Sequence, residues 1–67
     1  MEIADRLKHL LPHWVEHNEA HIQQLEEWAA KARSAGMGEI ADLVTAAADA
    51  MRQANAGLTQ ARDRLAA

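Results

Sequence analysis

The sequence predicts an all-α protein: an antiparallel αα-hairpin that pairs into a dimeric four-helix bundle. Three observations carry this. Apolar residues recur at heptad spacing along two long segments, and one glycine-bearing stretch, Ser34-Ala35-Gly36-Met37-Gly38, separates them. Strand-forming aromatics are scarce, since Phe and Tyr are missing and alanine supplies much of the apolar content.

Helix 1 is expected over about residues 2–34. One heptad row reads Ala4, Leu11, Asn18, Leu25, Ala32, and a second reads Leu7, Trp14, His21, Trp28. Pro12 interrupts this helix, because it lacks an N–H and its ring clashes with the Lys8 carbonyl. The apolar pattern continues through it in register, so a kink is expected. The alternative is a short leading helix followed by a second one with Pro12 at its first position.

The turn spans 35–38. Gly36 suits the left-handed residue that ends a helix, and Gly38 suits the N-cap of the next. Helix 2 is expected over about residues 39–65, with rows Ile40, Ala47, Ala54, Ala61 and Val44, Met51, Leu58, Leu65. If the chain reverses near Met37, Trp28 faces Ala46 and Ala47, and Trp14 lies near Gly57 and Ala61. Large residues would then meet small ones, which fills a core without voids.

The 67 residues, 1–67, make a single domain that buries little apolar surface by itself. With no cysteine, the available staples are a His/carboxylate metal site or association of copies. A homodimer with two-fold symmetry is the commonest solution. A net charge of −3 without a basic stripe argues against nucleic acid. No uninterrupted apolar run reaches membrane-spanning length, and acids stand where a secretory leader would be basic. The expectation is a cytoplasmic protein without membrane contact.

The stretch His13-Trp14-Val15-Glu16-His17-Asn18-Glu19-Ala20-His21 carries the chemistry. Residues four apart are neighbours on a helix, so each adjacent pair of histidines can aim two imidazoles at one point. Imidazole is the commonest protein ligand for transition metals. His13 and His21 stand about 12 Å apart along a straight helix at ~1.5 Å per residue, so one ion does not take all three. The pair His17/His21 is the expected ligand set, with His13 assisting and His13/His17 as the competing pair. Glu16 or Glu19 could add an oxygen, Asn18 could orient an imidazole, and Trp14 would stand beside the site. A dimer with its axis near this layer would supply four imidazoles, suited to zinc, nickel, cobalt or copper. A partner protein that handles metal would fit such a role. Protons compete for imidazole, so metal affinity is expected to fall as the pH drops through the histidine range.

The alternative is a ligand-free oligomerisation module. Asn18 and His21 fall on the rows read as buried and would then form a polar layer that sets register. His13-x-x-Glu16-His17 also matches the H-x-x-E-H zinc-peptidase pattern, but such enzymes need a third ligand and a substrate cleft. A haem held by two histidines would need an apolar pocket that a chain without Phe and Tyr is poorly equipped to build. The reading therefore leans away from an enzyme. Trp14, Trp28 and Met51 read as core, and Arg52, Arg62 and Arg64 as a solvated face with Asp49 and Asp63 nearby.

Leu10-Leu11-Pro12-His13-Trp14, continued by His17-Asn18 and His21, resembles the opening of a group of small prokaryotic helical-hairpin domains. The group pattern is L-L-P-H-W-x-x-H-N-x-x-H, with an Ala/Glu-rich second helix. That group has no assigned activity. The resemblance implies only that His13, Trp14, His17, Asn18 and His21 are the positions to test.

Overall fold

The computed structural model describes residues 2–67; Met1 lies outside them. The described residues form two helices, α1 (Glu2–Ser34) and α2 (Gly38–Ala66), folded back on each other into a rod of 52 × 14 × 14 Å. No helix among them is long and apolar enough to cross a membrane.

α1 runs unbroken through Pro12, so the reading with two separate helices is set aside. Pro12 and Lys8 are both exposed, and water can hydrate the carbonyl that proline leaves without an amide partner. Glu2 and Asp5 in the first turn and Lys31 and Arg33 in the last complement the helix dipole. Gly36, at φ 81°, ends α1. Its amide donates to the Arg33 carbonyl at 3.1 Å and the Met37 amide donates to the Ala32 carbonyl at 2.9 Å, the Schellman pattern. The expected N-cap shifts by one residue. Met37 holds that place, with its carbonyl accepting from the Ala41 amide at 2.9 Å, and Gly38 is the first helical residue.

The seam between the helices corrects the expected one. The row Ala4, Leu11, Asn18, Leu25, Ala32 does face α2, ranging from half-buried to buried. Its companion row is Val15, Ile22, Ala29, all buried, rather than Leu7, Trp14, His21, Trp28. Trp14 remains 40% and Trp28 63% exposed. On α2 the buried row is Ala41, Ala48, Asn55, not Ile40, Ala47, Ala54, Ala61. Val44, Met51, Leu58 and Leu65 are half-buried as the shared row. The reason is packing distance. Ala41 and Ala48 are fully buried at 0% exposure, so the two backbones approach closely where only Cβ atoms intervene. Leu11, Val15 and Ile22 fill the remaining space, each contributing roughly 1.5–3 kcal/mol by burial.

The hairpin therefore has two unlike broad faces. One carries Leu7, Leu10, Trp14, His21 and Trp28 of α1 beside Ile40 of α2. The other carries Glu19, Gln23 and Glu26 of α1 beside Arg52 and Thr59 of α2, around a hollow floored by Ile22 and Asn55. Arg52 bridges the helices on this side, paired with Glu26 and, at 2.6 Å, with Asp49. Arg33 and Asp42 pair at 2.8 Å across the turn.

Candidate metal centre

His13, His17 and His21 project from the middle of α1, and all three are exposed in the single chain. The helix brings the last two together. The Nε2 atoms of His17 and His21 lie 3.0 Å apart, with ring centroids 4.5 Å apart and planes at 76°. Which ring donates and which accepts follows from the tautomers, and both Nε2 atoms must be free of protons to bind one ion together. Two nitrogens bound tetrahedrally to zinc at ~2.0–2.1 Å would stand roughly 3.3 Å apart. The observed spacing is thus close to that of two ligands on one ion. The pair borders a shallow hollow of about 220 Å³ with Ala20 and Gln24.

His13 does not join this pair. Its ring lies nearly parallel to that of His17, planes at 22°, with centroids 6.2 Å apart against 4.5 Å for the His17–His21 pair. Glu16 shares a second hollow with His13, His17 and Ala20 and is the carboxylate nearest the histidine stripe in that hollow. Among the described residues no group of three or more His, Cys, Asp or Glu side chains could hold a metal ion.

Asn18 points into the seam and away from the histidines. Its Nδ2 donates to the Asn55 Oδ1 at 3.1 Å, and the Asn55 Nδ2 donates to the Val15 carbonyl at 3.0 Å. The polar layer expected between Asn18 and His21 is, in the chain, a layer between Asn18 and Asn55. His21 instead sits on the open face between Trp14 and Trp28. The carbonyl of Val15 has a second lone pair for this bond beyond its helical one. No buried side-chain nitrogen or oxygen among the described residues lacks a partner, so the layer is self-sufficient.

Asn55 was not among the residues picked out from sequence. A signal existed: a buried Asn18 needs a partner at its own level on α2, and Asn55 is the sole asparagine of that helix.

The fold and its side-chain arrangement define a class: a small amphipathic helical hairpin with paired imidazoles on its first helix. The chain belongs to the DUF8180 family, a domain of unknown function, whose model matches residues 7–65. That span includes the whole histidine stripe. An uncharacterized protein of Archaeoglobus fulgidus is 41% identical over 59 residues, covering 88% of this chain and 94% of that relative. No solved structure matches the chain.

Proposed function

We propose that this protein binds a transition-metal ion through His17 and His21, for storage, delivery or sensing. The observation that supports it most is the 3.0 Å separation of the two Nε2 atoms. Two ligands hold an ion weakly, so the remaining positions are filled by a second copy in a dimeric four-helix bundle. Zinc, nickel, cobalt and copper all accept imidazole. His13 stands one turn before His17 and Glu16 directly before it, and both assist capture, while Pro12 bends α1 ahead of the site. A cytoplasmic setting with a metal-handling partner protein is part of this proposal.

The test is metal content of tag-free protein, together with cobalt(II) titration followed by visible absorption. Wild type should retain metal and give the intense d–d bands of a low-coordinate nitrogen site. His17→Ala with His21→Ala should lose both. Equal metal content in the two proteins would overturn the proposal.

A second reading is favoured by the Asn18–Asn55–Val15 layer, which is satisfied without any ion. Under it the protein is a ligand-free association module whose polar layer sets the register of its helices. It requires a melting temperature indifferent to chelator and to added metal. A chelator-induced drop of several degrees would remove it.

A further inference from the structure

We infer that the Trp14/Trp28 face is the docking surface for a second copy of this chain. The two copies lie antiparallel, α1 against α1, with their turns at opposite ends. The site of the preceding subsection is then completed across the two-fold axis. The docking stands on the observations below alone; only the shared ion rests on the metal-binding reading.

The first observation is surface area. The chain exposes 5126 Å² at a mass of 7.4 kDa. A compact monomer of that mass exposes about 4,200 Å² by the usual scaling. The excess, roughly 900 Å², is close to the ~800 Å² that each partner buries in a standard stable interface.

The second is where the exposed apolar surface lies. At ~100° per residue, the side of α1 perpendicular to the seam carries Ile3, Leu10, Trp14, His21 and Trp28. The matching side of α2 carries Ile40, Ala47, Met51, Leu58 and Leu65. Neither set contains Asp, Glu, Lys or Arg. The two sets share one face, because Trp28, Ile40 and Val44 line a single apolar hollow of about 460 Å³. The one charged side chain lining that hollow is Lys31, whose Nζ lies 4.4 Å over the Trp28 ring. An apolar face this long, with its cation at one end, is covered in a soluble assembly. The opposite face holds the Arg52–Glu26 pair and faces water. A lipid surface is a poor occupant, since the chain is net negative and lacks the Lys/Arg-rich polar face of interfacial helices.

The third concerns height and direction. α1 runs from Glu2 to Ser34, so its midpoint falls at Asn18, between His17 and His21. Antiparallel docking with full overlap maps that midpoint onto itself. The two imidazole pairs then stand at one level. His21 lies along the normal of the docking face and His17 beside it on the outer edge of α1. Only α1 against α1 turns both His21 rings toward each other. With the turns at the same end, each His21 would meet α2 of its partner.

The experiment uses the whole chain, stripped of metal with chelator. Sedimentation velocity should give twice 7.4 kDa at micromolar concentration. Leu10→Glu with Trp28→Glu, both at exposed positions, should weaken association at least tenfold. Gln23→Glu on the polar face should leave it unchanged. Circular dichroism at low and high concentration separates dissociation from unfolding. The cysteine-free chain also allows a single spin label at Ser34→Cys, exposed at the turn and outside the apolar hollow. Turns at opposite ends place the two labels apart by about the 52 Å length of the rod, and turns at the same end bring them close. Metal titration should then saturate at one ion per two chains.

A monomer in chelator, or binding to anionic vesicles in place of self-association, would overturn the docking. A short label-to-label distance would overturn the orientation. A dimer with the long distance that takes up no metal would keep the docking and sink the metal-binding reading by itself.

Discussion

The two broad faces of this hairpin come from the same two helices, yet they are stabilised by unlike forces. On one side, charged side chains reach across the seam: Arg52 to Glu26, and Arg33 to Asp42 over the turn. These groups are about half or more exposed, and such pairs contribute little individually and weaken in salt. On the other side, two tryptophans and a row of aliphatic residues stand open, with His17 and His21 in their midst. Between them lies a narrow seam closed by alanines and one asparagine pair. The difference teaches that being apolar does not make a residue core within one chain. Trp28 is larger and more hydrophobic than Ala48, but Ala48 is the one sealed inside.

That contrast can be broken most strongly at the histidines. His17→Ala with His21→Ala should cut metal affinity by more than roughly 100-fold, the upper end of what removing even an outer supporting group costs. Isothermal titration with zinc would measure it, and an unchanged affinity would move the site elsewhere. Acidification from about pH 7.5 to about 5.5 should release metal from wild type, since protons and metal compete for the same imidazole nitrogens. Retention of metal at the lower pH would argue against imidazole ligation.

Adjacent alanines sharpen the comparison next. Ala48→Leu forces three extra carbons into a seam with no free space and should cost about 1–3 kcal/mol. Ala47→Leu, one residue along and exposed, should change the stability of the dissociated hairpin by less than about 0.5 kcal/mol. Urea melts of dilute protein would compare the two, and equal effects would place the seam wrongly.

Asn55→Ala removes two interhelical hydrogen bonds and leaves the Asn18 amide without its partner, at about 1–3 kcal/mol. The smallest effect is expected on the polar face. Glu26→Gln should cost no more than about 1 kcal/mol, and less in high salt. A larger loss there would mean that the bridge to Arg52 supports the hairpin more than its exposure suggests.

Most of the architecture could be read before any coordinates. The two helices and the end of the first at Ser34 follow from period and from Gly36, whose positive φ carries little steric penalty, while the second starts one residue ahead of its expected place. One-turn spacing offers two imidazole pairs, His13/His17 and His17/His21, and only the second comes together. The flank of each helix that faces its own partner could not be read. Leu11, Asn18 and Leu25 form a row common to two seams, one completed by Val15 and Ile22 and the other by Trp14 and Trp28. Both flanks are apolar, and periodicity weighs them by hydrophobicity, which favours the tryptophans.

Sequence by itself therefore determined the helices, the turn and the row that both seams share, because each depends on residues within a few positions of one another. Only the tertiary structure decided which flank closes the hairpin, that Asn55 answers Asn18, and that His21 stands on the open face. Those outcomes depend on how near two backbones can come. Small side chains at Ala41 and Ala48 set that distance, and no local pattern along either helix reports it.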